Sequence, residues 1–197
     1  MPRKAKFTRE DFINTAFTIA REQGIGQITA REVGQRLECS TRPMFTYFDS
    51  VEELKSTVAG KASALFLEKL IGSLDSNAPL TSLGLAIVDF SKSEPNLKPL
   101  CTSGSQLKQL LDALKESARE KLMRIYSLSE SQVNFALTAI VLFSINLADL
   151  GLSDEETRRM LGQTEFAYLK ALREAPGFLR GEFGASQRSS QFASWID

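Results

Sequence analysis

The side chains able to do chemistry in this 197-residue sequence form a restricted set. It contains no histidine, which removes Ser-His-Asp and Cys-His catalysis, histidine-ligated metals and imidazole pH switches together. The two cysteines, Cys39 and Cys101, lie far apart and neither has a C-x-x-C neighbour. That speaks against a structural zinc site or a disulfide framework, and for a reducing compartment. There is no Gly-rich phosphate loop, and Asp89 and Asp149 lack the spacing of a paired-carboxylate site. The expectation is a protein that is not an enzyme and uses no cofactor or metal. Its chemistry is recognition, through cations, hydrogen bonds, carboxylates and apolar shape.

Charge gives that recognition a location. Lysine plus arginine total 24 and aspartate plus glutamate total 24, a formal net charge of zero. Residues 1–48 hold 8 basic and 5 acidic side chains, and residues 49–197 hold 16 and 19. Arg3, Lys4, Lys6 and Arg9 stand among the first nine residues with no acid. A basic end on a larger acidic body points to nucleic acid, although on charge alone a solvated terminus accounts for the same pattern. The basic start runs into Phe7-Thr-Arg-Glu-Asp11 without the apolar stretch of a signal peptide, so a cytoplasmic protein is expected. Residues 133–150 are apolar but interrupted by Asn134, Thr138, Ser144, Asn146 and Asp149, which predicts a buried helix and no membrane span.

The elements that must position these groups read as helices throughout. Phe12, Ile13, Ala16, Phe17 and Ala20 form one stripe, with Thr8 and Asp11 as a capping box and Gly24 as the stop. Thr29 and Glu32 open a short helix with Ala30, Val33 and Leu37 on one face. A third short helix follows Cys39-Ser40-Thr41, with Pro43 tolerated in its first turn and Met44, Phe45 and Phe48 facing inward. Phe12, Phe17, Met44, Phe45 and Phe48 are all assigned to the core. Ser50 with Glu53 caps a long fourth helix.

Further helices run toward Ser73, over 81–94, over 106–126, from Ser129-Gln132 to Leu150, and from Ser153-Glu156 to about Glu174. A short segment punctuated by Pro99 lies between the second and third of these. The fold class is all-α, about nine helices in total. Residues 1–50 form an N-terminal domain, 51–175 a larger helical domain, and 176–197 a Gly- and Ser-rich tail.

A capped short helix, a tight turn and a second short helix within residues 29–55 make a helix-turn-helix, whose second helix presents side chains to base edges in the major groove. The runs Thr29-Ala-Arg-Glu-Val-Gly-Gln-Arg-Leu37, Ser40-Thr-Arg-Pro-Met-Phe-Thr-Tyr-Phe48 and Ser50-Val-Glu-Glu-Leu54 resemble the TetR family of bacterial transcriptional regulators. The resemblance covers residues 8–55; the stretch 79–150, with Phe90 to Pro95 as a helix end, is more loosely similar. It implies a homodimeric repressor that binds a palindromic operator in double-stranded DNA and is released by a small-molecule effector held in the helical body. It also implies DNA contacts at Arg31, Thr41, Arg42, Thr46 and Tyr47, with the basic arm, Lys4 and Lys6 included, lying along the DNA. Dimerisation through helices 129–150 and 153–174 follows from the same resemblance, and the nearly all-round apolar character of 129–150 agrees with it. Family members commonly carry glycine, threonine, tyrosine and lysine where this chain has Arg42, Pro43, Phe45 and Val51. A second reading is therefore a helical protein-interaction module whose helix-turn-helix no longer binds DNA.

In the body, Phe66, Phe90, Phe135 and Phe143 recur at helical spacing and read as core. Asp89, Asn134, Asn146 and Asp149 look buried among apolar neighbours. A buried carboxylate needs a partner, water or a ligand. A pocket here would be mostly apolar with one or two such groups, and its candidate contacts are Phe66, Asp89, Phe90, Phe135 and Asn146, taking a small, mostly apolar effector.

Overall fold

The computed structural model describes residues 7–74 and 77–174. Lys4 and Lys6 of the arm and the 176–197 tail lie outside the described residues. Within them the chain forms eight α-helices and three 3-10 turns, with no strand.

Helix α1, Arg9–Gln23, begins at the Thr8–Asp11 capping box with both halves formed and ends at Gly24, whose φ of 91° suits only glycine. Helix α2, Ala30–Arg36, is capped by Thr29, which accepts the Glu32 N–H at 3.1 Å. The reciprocal half of that expected box is missing because the Glu32 carboxylate is taken by Arg36 one turn on, at 3.1 Å.

The third short helix is a 3-10 turn, Met44–Thr46, and not an α-helix. Glu38, at a positive φ of 52°, ends one element, and Ser50 already caps the next by accepting the Glu53 N–H at 3.1 Å. The intervening residues close through bonds three apart, Thr46 N–H to Pro43 O at 3.2 Å and Tyr47 N–H to Met44 O at 3.0 Å. At three residues per turn, Phe45 points about 120° away from Met44. Met44 and Phe48 are buried, whereas Phe45 is 50% exposed, which corrects its assignment to the core. Phe17 is half-buried under the Lys61 ammonium and also lies at the core's margin.

Helix α3, Val51–Ser73, buries Leu54, Val58, Ala62, Phe66 and Leu70, one residue in every four. That stripe packs on α1 at one end of the chain and on the later helices at the other. The later helices are α4 (Pro79–Ser93), α5 (Lys98–Thr102), α6 (Gly104–Tyr126), α7 (Glu130–Leu147, continued by the 3-10 turn Ala148–Leu150) and α8 (Asp154–Glu174), and α3 meets the first three of them. Helix α4 lies centrally, against α3, α7 and α8. Gly84 permits this approach: a Cβ there would come within 2.6 Å of Leu161 Cδ2 and 2.8 Å of Ser144 Oγ. Phe66 of α3 and Phe90 of α4 stack at 4.3 Å in the core between the two helices. Among the described residues one helix, Glu130–Leu150, is long and apolar enough to cross a membrane, and it packs here on α4, α6 and α8.

Candidate nucleic-acid interface

The turn after α2 is held by backbone. Cys39 N–H donates to Gly34 O at 2.8 Å, and a Cβ on Gly34 would lie 2.9 Å from the Cys39 carbonyl oxygen. A side chain at position 34 would therefore force the returning chain to shift away from α2. Sequence reasoning passed over this residue. The available signal was a glycine inside a seven-residue helix, where it costs about 1 kcal/mol relative to alanine and needs a reason.

Beyond the turn, Ser40, Thr41 and Arg42 are exposed, as is Thr46 in the 3-10 turn. Arg42, Thr46 and Tyr47 share an open cleft of about 630 Å³ with Phe7, Glu38, Cys39, Ser40 and Pro43. Arg31 and Thr41 are exposed outside that lining. Among the described residues neither Arg31 nor Arg42 forms an ion pair, whereas Arg36 on the same helix as Arg31 is held by both Glu22, at 2.7 Å, and Glu32. Lys55 is matched by Glu52 at 2.7 Å.

The Tyr47 side chain is engaged within the fold. Its hydroxyl donates to the Phe7 carbonyl at 2.9 Å, and its ring packs 5.9 Å from Phe12. A phosphate oxygen needs a donor, and this phenol has already committed its single O–H. Phe45, by contrast, joins the exposed side.

The electrostatics of this face are nearly balanced without the arm. Residues 10–48 carry four basic and five acidic side chains, and two of the four, Arg21 and Arg36, are paired. The cationic excess of the N-terminal region resides in its first nine residues.

The expected effector contacts are not gathered around one space. Phe66 and Phe90 stack against each other as fully buried core. Asp89 is exposed and pairs with Lys69, so it is not the buried carboxylate expected. Phe135 is half-buried with its ring edge-on to Tyr168 at 6.2 Å. Asn146 is exposed, its amide donating to Leu142 O at 2.7 Å. Asp149 is likewise exposed and pairs with Lys98. Of the four expected buried polar groups only Asn134 matches in part, with a buried Oδ1 that finds no partner.

The carboxylates that are buried were not singled out. Glu94, at the end of α4, accepts from Arg21 of α1 through Nε at 2.8 Å and through Nη2. Two residues on, Asn96 Nδ2 donates to the Arg21 carbonyl at 3.0 Å and so closes the end of α1. Glu165 of α8 accepts the Thr81 N–H at 2.8 Å and the hydroxyls of Thr81 and Tyr126. Burial, and then the bond to Glu165, push the Tyr126 phenol well above its ordinary value, which keeps it a donor. Among the described residues no group of three or more metal-type ligands forms. Burial pushes the Cys101 thiol up to about 11, leaving it protonated and unreactive.

Neither protein-family models nor curated proteins give a match to this chain.

Proposed function

We propose that this protein is a DNA-binding transcriptional regulator, a homodimeric repressor that reads a palindromic operator and is released by a small, mostly apolar effector. The observation that carries this reading is the Gly34 turn. It folds the chain tightly against a capped short helix and leaves Arg42 exposed just ahead of the second element, with a second unpaired cation, Arg31, on the first. Arginine is suited to both phosphate and guanine through its bidentate fork.

The body supplies support for the dimer. On α8, Glu165 is buried while its neighbour Phe166 is 71% exposed, and Leu142 on α7 is 42% exposed. A second copy covering these apolar groups would make α7 and α8 a four-helix interface. Support for control by the body comes from the Glu94 and Asn96 contacts to Arg21, which tie the α4–α5 corner to α1.

A second reading, a helical protein-interaction module, is favoured by the exposure of Phe45 and the near balance of charge on residues 10–48. Selection of duplexes from a random-sequence pool, followed by binding measurements over a range of salt, separates the two. The regulator is expected to enrich a palindrome and to bind it with strong salt dependence. Arg42→Ala is expected to weaken that binding by roughly ten- to a hundredfold with the dimer intact. Failure to enrich any sequence would assign the chain to the second reading.

A further inference from the structure

An acid stands on the face that Arg42 shares, against every local preference of its position. We infer that Glu38 is a specificity residue that reads cytosine, accepting from its N4 amine in the major groove and rejecting bases that present an oxygen there. This rests on the DNA-binding reading and deepens it.

Helix α2 ends at Arg36 with Leu37 as its cap, and Glu38 follows at a φ of 52°. Glycine favours that place, because a Cβ in the left-handed region crowds the backbone carbonyl. It is also the negative end of a helix, where a cation is favoured and a carboxylate is not. No partner offsets either cost. Residues 10–48 hold five acids. Glu10 pairs with Lys61 at 3.2 Å, Asp11 accepts the Thr8 N–H at 2.7 Å, and Glu22 and Glu32 both hold Arg36. Among the described residues only Glu38 of the five has no hydrogen bond or ion pair to its carboxylate. Its side chain is exposed and lines the cleft with Ser40, Arg42 and Thr46. Arg42, four residues on in that cleft, does not pair with it. A strained position held by a charge the fold does not use points to a partner outside the chain.

The chemistry of a carboxylate narrows that partner. It only accepts hydrogen bonds, and phosphate oxygens only accept, so Glu38 weakens attraction to the backbone wherever no donor meets it. In the major groove the donors are the N4 amine of cytosine and the N6 amine of adenine. Adenine sets its N7 acceptor beside the amine, which opposes a carboxylate, whereas cytosine has no acceptor on that edge. Thymine places O4 where cytosine places its amine, so two acceptors would face each other. The guanine paired with cytosine offers O6 and N7, the acceptors that suit the fork of Arg42. An acid and an arginine kept unpaired in one cleft therefore match the two edges of a G·C pair. Discrimination arises as much from the repelled wrong base as from the bond to the right one.

The test selects duplexes from a random-sequence pool with the full chain, with Glu38→Gly and with Glu38→Gln, and then measures affinities one base pair at a time. Glycine suits the φ of 52°, so Glu38→Gly should melt no lower than the full chain. Glutamine keeps the length of the side chain and can turn either its oxygen or its N–H2 to a base. The full chain is expected to enrich cytosine at one position of each half-site. Replacing that cytosine by thymine should weaken its binding roughly ten- to a hundredfold. Both variants should bind the two duplexes nearly alike, and should bind an unrelated duplex more tightly than the full chain does, because a charge facing phosphate is gone. Specificity and non-specific affinity thus move in opposite directions. Selected sequences without a preferred cytosine would overturn the assignment, as would variants that still reject thymine. Tighter binding by the variants to every duplex with base preference unchanged would reduce Glu38 to a general repulsion and overturn it equally. A full chain that selects no duplex fails the DNA-binding reading and this inference with it. Selection whose base preferences ignore both substitutions fails this inference alone.

Discussion

The N-terminal segment and the centre of the body close their helices in opposite ways. In residues 7–50 each helix start is satisfied by a hydroxyl three residues away: Thr8 for α1, Thr29 for α2 and Ser50 for α3. Helix α4, against which α3, α7 and α8 pack, has Ala78 at its N-cap position and no side-chain cap from its own neighbourhood. Its Thr81 N–H is bound by Glu165, 84 residues on, and its Leu80 N–H by the Tyr126 hydroxyl at 3.3 Å, 46 residues on. The first arrangement survives as a local motif wherever the segment is placed. The second exists only when α4, α6 and α8 have already met, so it makes the body's assembly cooperative.

The largest expected effect tests that contrast at its buried end. Glu165→Ala would leave the Thr81 N–H and two hydroxyls without their acceptor in a buried site. Leaving such donors unsatisfied costs about 3 kcal/mol or more in total. Thr8→Ala, which removes an exposed local cap, should cost about 1 kcal/mol. Urea unfolding of both variants measures the difference, and Glu165→Gln, which keeps one acceptor oxygen, should recover part of the loss. Equal costs for Glu165→Ala and Thr8→Ala would break the distinction between local and distant closure.

The same contrast decides what was legible from the sequence. The Thr8–Asp11 box with Gly24 and the Ser129–Gln132 box were readable, because every atom involved lies within a few residues and the pattern names its own partner. The core role of Phe66 and Phe90 was readable from helical spacing. Asp89 was misread because it stands between Val88 and Phe90; consecutive residues on a helix diverge by about 100°, so buried neighbours in sequence do not bury it. Its salt bridge to Lys69 depends on how α3 meets α4. Glu165 and Phe166 invert what composition suggests, the acid buried and the ring exposed, since the acid is fixed by the needs of α4. Around the proposed interface, Arg31, Thr41, Arg42 and Thr46, singled out from the motif, are exposed. The partner of the Tyr47 hydroxyl is a backbone carbonyl 40 residues earlier, and no side-chain pattern announces that.

Two glycines sharpen the comparison with effects of opposite sign. Gly34 faces the Cys39 carbonyl, a backbone atom that cannot rotate away, whereas Gly60 in the middle of α3 has open space around its Cα. Alanine gains roughly 1 kcal/mol of helix propensity at either site. At position 34 the overpacking of about 1–3 kcal/mol outweighs it. Gly34→Ala should therefore destabilise by about 1 kcal/mol and weaken the proposed DNA binding as the turn opens. Gly60→Ala should stabilise by up to about 1 kcal/mol and leave binding unchanged, with thermal melting and duplex binding as the two readouts. A stabilising Gly34→Ala would show that the turn does not depend on the close approach.

The smallest expected effect concerns acid, and it asks whether local closure behaves alike at both ends of the chain. The backbone N–H and hydroxyl of Thr8 hold the Asp11 carboxyl below its ordinary 3.8. The hydroxyl and backbone N–H of Ser153 likewise hold Glu156, at the start of α8, below its ordinary 4.5. A carboxyl depressed in the folded state contributes stability that is fully present above its unfolded value and lost as pH falls through the folded one. Both helix starts should therefore be intact from neutral pH down to the ordinary values, 3.8 for Asp11 and 4.5 for Glu156, and fray only as pH falls below them. The α4 start is closed by a different carboxylate, Glu165, and touches neither Asp11 nor Glu156. Amide chemical shifts of Asp11, Glu156 and Thr81 across pH 6 to 2 would follow the three sites separately. Asp11→Asn and Glu156→Gln should each leave the Thr81 curve unchanged; a changed curve would mean that the local caps and the buried closure of α4 are coupled, and that the two regions do not close independently.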